Sequence, residues 1–276
     1  MSAARTAIGL RRDLEILEVL RSPEATRGPG LSVTRISELT GREKSQVSRA
    51  LAGMREEGLV DRDPGTMAYR CGWRLYALAA ATGESRLVHT AGPFLRRLVS
   101  QIHETAYLRV LRGRNVMTLL TEPSPHAFRS LGWEGLTLPI TQTSAGRVLI
   151  SDWEDDVVRA CFTDEVTRYG HGMRQVQTAG ALIDELQLIR TAGYAKVDGE
   201  LEDGLVGVAA PVRDWRGRLV AAINVGAPRS RLHHQLDAAG RVTLRCATQL
   251  SRTLGYSGAL GDPGADSTGS APHAGP

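Results

Sequence analysis

Lysine, cysteine and long apolar runs are all scarce in this sequence of 276 residues. Lys44 and Lys196 are the only lysines, so nearly all of the 34 basic side chains are arginines, which suit bidentate contacts to phosphate and guanine. The three cysteines are odd in number and far apart, which argues against a disulfide framework and favours a reducing compartment. No apolar run approaches the roughly 18 residues of a membrane span, and the N-terminus lacks the apolar region of a signal peptide. We therefore expect a cytoplasmic protein without membrane association.

The two ends of the sequence differ from its middle. Residues 1 to 10 carry no strong apolar pattern, and we expect a flexible arm. Residues 257 to 276 are mainly Gly, Ala, Pro, Ser and Asp, which bury too little apolar surface to fold, so we expect a disordered tail. The hydrophobic content of 42% is enough for two domains, and the net charge of +4 does not by itself indicate nucleic acid.

The apolar pattern predicts a first helix that starts at residue 11. Its apolar residues recur at helical spacing and predict an inward stripe of Leu14, Leu17 and Leu20, which Ile16 and Val19 widen. A run rich in Pro and Gly, residues 22 to 30, is expected to break this helix.

A second helix is predicted over residues 33 to 40. Ser32 is suited to be its N-cap, and Ile36 and Leu39 are expected to face inward. Gly41 follows where a tight turn needs a permissive backbone.

A third helix, residues 43 to 57, is predicted to end at Gly58. Its expected buried stripe consists of Val47, Ala50, Leu51 and Met54. Two short extended runs, residues 59 to 61 and 68 to 71, then flank the turn-forming run Asp-Pro-Gly-Thr. This order predicts three helices and a small wing.

The third helix is typical of a DNA-reading helix because polar residues fill its first two turns, away from the buried stripe. Those residues are Lys44, Ser45, Gln46, Ser48 and Arg49. Recognition helices contact base edges in the major groove with their N-terminal residues, where Gln46 suits adenine and Arg49 suits guanine or phosphate. Arg62 and Arg70 flank the wing and are expected to contact phosphates or the minor groove. The alternative is an ordinary amphipathic helix with a solvated face, but the succession of helix, turn, helix and basic wing favours DNA binding.

From residue 104 the pattern changes to a mixture of strands and helices. Extended runs are predicted at residues 106–111, 116–121, 136–140, 206–212 and 219–225. Helices are predicted at residues 73–81, 87–101, 144–150, 155–162, 178–191 and 234–254. The sequence as a whole therefore predicts an α+β fold.

Taken together, these segments resemble the IclR family of bacterial transcriptional regulators, from about residue 13 to residue 255. The N-terminal half resembles the family in the segments LEILEVL, LSVTRISELTG, REKSQVSRALAGMREEGLV and YRCGWRLYALA. The C-terminal half contains LPITQTSAGRVLIS and the most specific stretch, LQLIRTAGYAKVDGELEDGLVGVAAPVRDWRGRLVAAINVGAP.

The resemblance implies how the chain is organised and what it binds. It implies a winged helix-turn-helix DNA-binding domain over residues 11 to 72 and linker helices over residues 73 to 101. It also implies a GAF-like α/β domain with a mainly antiparallel sheet over residues 102 to 256, which binds a small-molecule effector and oligomerises. The expected partners are double-stranded operator DNA, the effector, and further copies of the chain in a homodimer or a dimer of dimers. No cofactor is expected.

The resemblance also implies which residues line the effector pocket. By position they are Ser144, Ala145, Asp198, Glu200, Gly207, Asn224 and Gly226. Family members that bind small carboxylic acids tend to carry Cys at the position of Gly207 and Ser at those of Asn224 and Gly226. That departure leaves Asn224 as the main expected polar group, although the glycines are equally compatible with a requirement of tight strands. We therefore expect an effector that is larger or less acidic than a two- or three-carbon acid, such as an aromatic compound, with Met117, Phe128 or Trp133 nearby.

Two other classes of function are considered for the second half of the chain. An enzyme fused to a DNA-binding domain is disfavoured, because the sequence has no HExxH, Walker loop, GxSxG or CxxC motif. The adjacent His233 and His234 are a weak metal-site candidate, since neighbours on one helix point in different directions. A DNA-binding architectural protein whose second domain only oligomerises stays open. A ligand-responsive transcriptional regulator is the favoured interpretation.

Overall fold

A computed structural model of the chain describes residues 2–127, 134–162, 176 and 178–258, without the side chains of residues 2–8. The chain divides into two compact units between Arg86 and Leu87. The sequence placed the start of the second domain near residue 102. The boundary lies earlier because Ala91, Leu95 and Leu98, in the predicted linker, are buried in the core of the second unit. Part of the predicted tail, from residue 259 onward, lies outside the described residues.

The first unit contains short helices followed by a two-stranded sheet. Its elements are α1 (Ser2–Leu20), α2 (Pro23–Arg27), α3 (Val33–Thr40), α4 (Lys44–Glu56), β1 (Val60–Arg62), β2 (Tyr69–Cys71) and α5 (Trp73–Ala80). Strands β1 and β2 pair antiparallel, as the predicted wing requires. One apolar cluster holds α1, α3, α4 and the wing together, and its fully buried members include Ile16, Ile36, Val47, Leu51 and Val60.

Three local features of the first unit differ from the sequence expectation. The first helix begins at Ser2, where a flexible arm was expected, because the proline-free, alanine- and arginine-rich start favours helix. The break after it contains α2, whose N-cap Ser22 accepts a hydrogen bond from the backbone N–H of Ala25. Leu14 and Leu39, both expected to face inward, are exposed. In α1 the inward stripe is centred on Ile16 and Leu20 instead.

The second unit is built on a six-stranded sheet whose strand pairs are all antiparallel, in the order β5-β4-β3-β8-β7-β6. The strands are β3 (Thr105–Arg112), β4 (Asn115–Glu122), β5 (Thr137–Pro139), β6 (Ala195–Asp198), β7 (Leu205–Arg213) and β8 (Leu219–Pro228). The predicted antiparallel α+β architecture is confirmed. The sequence missed β6, which is a short strand of four residues at the sheet edge.

Helices cover both faces of this sheet. They are α6 (Gly83–Ile102), α7 (Ser144–Leu149), α8 (Asp155–Cys161), α9 (Ala179–Ala192), α10 (Arg229–Leu232) and α11 (Leu236–Thr253), and a 3₁₀ turn (His233–Gln235) joins the last two. The first core cluster packs α6 and α11 against one face, through residues such as Leu98, Leu108, Ile223 and Leu250. The second packs α7, α8 and α9 against the other face, through Val148, Val158 and Leu186. In the described part of the chain, no helix has the length and apolar character needed to cross a membrane.

Candidate nucleic-acid interface and ligand cavity

A tight turn between α3 and α4 sets the position of the polar end of α4. The Ser32 side-chain oxygen accepts a hydrogen bond from the backbone N–H of Arg35 at 3.2 Å and thereby caps α3. Gly41 ends α3 with φ +65°, in the left-handed region that favours glycine. Glu43, at the N-cap of α4, makes no side-chain hydrogen bond to the first turn. The caps of α3 are those that the sequence predicts.

Five polar side chains in the first two turns of α4 are exposed together. We call them the α4 strip: Lys44, Ser45, Gln46, Ser48 and Arg49. The opposite side of the helix is buried, with Val47 and Leu51 at 0% exposure, while Ala50 is only half-buried. A helix that enters the major groove needs such a polar surface on a firmly packed back. The structure therefore places the predicted DNA-contact residues of α4 on one accessible surface.

The two predicted contact residues of the wing differ in exposure. Arg70 on β2 is exposed. Arg62 on β1 is half-buried, and its guanidinium carbon lies 5.2 Å from the centroid of the Tyr69 ring. Its Nε donates a long hydrogen bond of 3.4 Å to the carbonyl of Met67. Arg70 is thus available to a partner, whereas Arg62 also holds the wing together.

The second unit contains a cavity whose floor is one face of the sheet. Register places Gly207 of β7 directly opposite Gly226 of β8, and Tyr107 of β3 opposite Asn224. Neither glycine has a positive φ, and a Cβ at Gly226 would make only an ordinary contact of 3.5 Å with the Tyr107 ring. Backbone conformation therefore does not require glycine at these positions. What the pair does is leave a patch of the floor without side chains.

The start of α7 and the chain around β6 form the walls of this cavity. The space inside it, open solvent at the mouth included, is about 470 Å³. The lining residues are Tyr107, Arg109, Gln142, Thr143, Ser144, Val197, Leu201, Leu205, Val206, Gly207, Asn224 and Gly226. Among the described residues that line it, none is acidic.

Four of the effector residues implied by the resemblance, Ser144, Gly207, Asn224 and Gly226, line the cavity. Ala145 does not, because it is fully buried in the second core cluster. Met117 packs instead with the first core cluster, on the opposite face of the sheet. Trp133 and Phe128 lie outside the described residues.

The side-chain amide nitrogen of Asn224, the expected polar group of the pocket, makes contacts within the protein. Its Nδ2 lies 3.0 Å from the Ser144 hydroxyl oxygen, 2.9 Å from the carbonyl of Val208 and 3.2 Å from that of Val225. These contacts occupy the amide donor, so Asn224 joins α7 to the sheet. Asn224 still lines the cavity, so its role as a polar handle for an effector stays a prediction.

Arg109 supplies the charge in the cavity. It is 6% exposed, and its guanidinium carbon lies 4.6 Å from the centroid of the Tyr107 ring. Burial lowers the pKa of Arg109 to about 10, so the group is still a cation at neutral pH. A buried cation in the cavity favours a ligand with an acidic group, so of the two expected properties of the effector, larger or less acidic, the larger size stays a prediction and the lower acidity is disfavoured.

Arg147 of α7 is a second buried guanidinium, and it is fully partnered. It forms a two-point ion pair with Glu200, and its Nε donates a hydrogen bond of 2.9 Å to the carbonyl of Thr141. Burial raises the pKa of Glu200, and Arg147 acts in the opposite direction. The pair ties α7 to the segment after β6, which carries the cavity residue Leu201.

Asp198 and Glu200 do not line the cavity but lie beside a wider groove next to it. One Asp198 carboxylate oxygen lies 3.1 Å from His233 Nδ1 and 3.3 Å from the Arg229 guanidinium. Within the residues described here, no group of three His, Cys, Asp or Glu side chains is arranged to hold a metal ion.

Sequence reasoning missed several cavity residues, above all Tyr107 and Arg109. A signal for both was present, because they alternate with the apolar Leu108 and Val110 in the middle of the strand. Such alternation says that the two side chains share a face, but not that this face is a cavity. Gln142 and Thr143 were adjacent to the implied Ser144 and were likewise not singled out.

Comparisons with known proteins agree with this architecture. The family model for the helix-turn-helix domain of IclR regulators matches residues 9–64, and the model for the C-terminal domain of the bacterial transcriptional regulator IclR matches residues 79–252. The transcriptional regulator BhcR of Paracoccus denitrificans is 28% identical over 245 residues, covering 88% of this chain and 85% of its own.

Solved structures show the same fold. An IclR homologue from Microbacterium hydrocarbonoxydans, crystallised with 4-hydroxybenzoate, superposes with a TM-score of 0.73 at 24% identity, covering 89% of this chain and 98% of its own. The IclR protein of Thermotoga maritima superposes with a TM-score of 0.71 at 20% identity, covering 91% of this chain and all of its own.

Proposed function

Because the chain belongs to the IclR family of bacterial transcriptional regulators, with both a DNA-binding and an effector-binding domain, we propose specific roles for its two surfaces. The α4 strip reads operator DNA. The cavity between the sheet and α7 takes the small-molecule effector that modulates this binding. The observation that carries the proposal is the α4 strip, in which five polar side chains are exposed on a helix whose other side is buried.

Within the α4 strip, the side-chain chemistry assigns different contacts. Arg49 has the planar fork that pairs with guanine, and Gln46 has the amide that pairs with adenine. Lys44 and the two serines suit phosphate oxygens near the helix N-terminus. On the wing, exposed Arg70 contacts phosphate, and Arg62 contributes partly through its position over the Tyr69 ring.

The cavity suits a small aromatic effector. The Tyr107 ring offers a flat apolar surface on the cavity floor, and the Gly207–Gly226 pair leaves room beside this ring. Val197, Leu201 and other apolar side chains complete the lining. The crystallised Microbacterium homologue binds 4-hydroxybenzoate, which makes this compound and related aromatic acids the first probes to use.

The regulator acts as a homodimer or a dimer of dimers in the cytoplasm, and not as an enzyme. A dimer places two recognition helices on half-sites about one helical turn, roughly 34 Å, apart. The exposed apolar side chains of α5 support the proposal of self-association. None of the residues Trp73–Ala80 is buried, and Trp73, Tyr76 and Leu78 are all largely exposed.

Selection of DNA from a random duplex library tests the proposal. Wild-type protein is expected to enrich a two-fold symmetric sequence, and 4-hydroxybenzoate or a related aromatic acid is expected to change its affinity for that sequence in fluorescence anisotropy. No sequence enrichment would contradict operator reading. Enrichment without any effect from a panel of aromatic compounds would favour the architectural alternative, in which the second domain only oligomerises.

A further inference from the structure

Arg109 occupies an unusual place in the cavity. It lies on β3, on the floor face of the sheet, and its guanidinium rests against the Tyr107 ring. It is 6% exposed, yet it lines the cavity. Any group that enters the cavity therefore comes close to a cation that water scarcely reaches.

This guanidinium has no ionic partner in the part of the chain that the structure describes, and its Nε is buried without a hydrogen bond. Two other guanidinium groups of the second unit illustrate the contrast: Arg147 is paired with Glu200, and Arg231 with the buried carboxylate of Glu104 at 2.7 Å. A buried charge without a partner is costly, and proteins rarely retain one without a use. The unpaired state of Arg109 thus points to a ligand.

Two further unpartnered polar atoms lie beside Arg109. Register pairs Arg109 with Thr118 and Tyr107 with Thr121 on β4, and both threonine hydroxyls are buried without a hydrogen-bond partner among the described residues. A β-bulge between Leu108 and Arg109 produces this arrangement, and bulges commonly re-aim side chains next to functional sites. The unmet hydroxyls therefore lie on the same face of the sheet as Arg109 and Tyr107, beside these two floor residues.

Resting on the proposed function, we propose that Arg109 binds a carboxylate group of the effector and so selects aromatic acids over their neutral counterparts. A carboxylate is planar and matches the two parallel N–H groups of a guanidinium. The Tyr107 ring beside Arg109 provides the surface for the aromatic part. A phosphate monoester fits less well, because a dianion requires more cationic donors than this one group, and the rest of the lining is neutral.

Calorimetry with matched ligand pairs tests the proposal. Benzoate, 4-hydroxybenzoate and phenylacetate are each compared with the corresponding amide, which keeps the shape and removes the charge. Wild-type protein is expected to prefer at least one acid by about 10- to 150-fold over its amide. In Arg109→Met that preference is expected to vanish through loss of acid binding, while amide binding is unchanged or tighter.

Two further variants and one stability measurement separate recognition from structure. Arg112→Met removes the same charge from an exposed position on the same strand, and should keep the preference for acids. Without ligand, Arg109→Met should melt at or above the wild-type temperature, because it removes an unpaired buried charge; a clearly lower melting temperature would assign Arg109 a structural role. If that variant does not fold, Arg109→Lys, which keeps the charge but loses the fork, should weaken acid binding only.

Three outcomes would overturn the proposal that Arg109 binds the carboxylate. They are equal binding of acid and amide by the wild type, binding of none of the three acids at millimolar concentration, or an intact preference for the acid in Arg109→Met. The proposed function has its own readout in the DNA selection. Sequence enrichment together with any of these outcomes would therefore overturn the role of Arg109 but not the proposal that the protein is a DNA-binding regulator. A preference of the wild type for phenyl phosphate over benzoate would replace the carboxylate by a phosphate.

Discussion

Charged and polar side chains have opposite surroundings in the α4 strip and in the cavity. The α4 strip keeps Lys44, Gln46 and Arg49 in solvent, and the helix beneath is held by apolar residues alone. Arg147 beside the cavity and Asn224 on its floor are buried and bond to neighbouring elements, whereas Arg109, also buried, contacts the Tyr107 ring but has no ion-pair partner among the described residues. If the two surfaces have their proposed roles, DNA reading is separable from folding in this protein, whereas ligand recognition uses residues that also hold the fold together.

The largest expected effect tests the structural part of the cavity. Arg147→Met leaves Glu200 buried without its partner and removes the hydrogen bond to Thr141, so the free energy of unfolding should fall by about 3 to 5 kcal/mol. Urea denaturation measures this loss. Lys196→Met breaks the largely exposed ion pair with Asp237 and should cost less than about 1 kcal/mol. Equal losses in both variants would show that the buried pair has no special role.

A smaller effect is expected from filling the cavity floor. Gly226→Ala adds a methyl group that meets only the Tyr107 ring, at 3.5 Å, so stability should hardly change. Effector affinity should fall by about 1 to 3 kcal/mol, because the methyl group takes ligand space. Gly180→Ala on α9, where a Cβ is also in ordinary contact at 3.8 Å, is the control and should bind the effector normally. Normal binding by Gly226→Ala would move the ligand away from the glycine pair.

A change of similar size in the α4 strip should leave folding untouched. Arg49→Ala should weaken specific operator binding by about 1 to 3 kcal/mol with no change in melting temperature, because its side chain is exposed. Arg55→Ala, exposed in the last turn of the same helix, removes an equal charge and should have little effect. Gel shifts with both variants decide the matter, and an unaffected Arg49 variant removes this residue from the contact surface.

The smallest effect is expected at the wing. Arg70→Ala should weaken binding to all DNA sequences alike and reduce the slope of log K against log salt by about 0.9, as expected for one lost phosphate contact. A salt titration with operator and unrelated duplexes measures it. A loss confined to the operator would mean that Arg70 reads bases and not the backbone.

Local chemistry explains how much of the first unit was predictable. Ser32 and Gly41 act on neighbours within a few residues, and the helical spacing of Val47, Leu51 and Met54 is itself a local pattern, so the sequence shows both the caps and the buried side of α4. The prediction that Leu14 is buried was wrong, because helical spacing alone does not show which apolar residues of α1 pack against the rest of the unit.

Distant pairing explains why the cavity was harder to predict. Tyr107 and Arg109 reach the floor only because β3 pairs with β8, more than 100 residues further along the chain. Because of the bulge between β3 and β4, Met117 faces the first core cluster and not the cavity. No local sequence pattern predicts this bulge. Asn224 was placed correctly through the family resemblance, but its commitment to Ser144 depends on the exact approach of α7.

The glycine pair on the cavity floor has a consequence for how such a regulator changes its signal. A glycine codon is one base change away from codons for alanine, valine, serine, cysteine, aspartate and arginine. Neither Gly207 nor Gly226 has a positive φ, but a Cβ at Gly207 would lie 3.1 Å from the carbonyl oxygen of Val225, so Gly226 is the position that accepts a side chain more easily. At Gly226 the added atom meets only an aromatic ring. If the cavity takes the effector as proposed, one nucleotide change can therefore alter the ligand preference and leave the α4 strip unchanged.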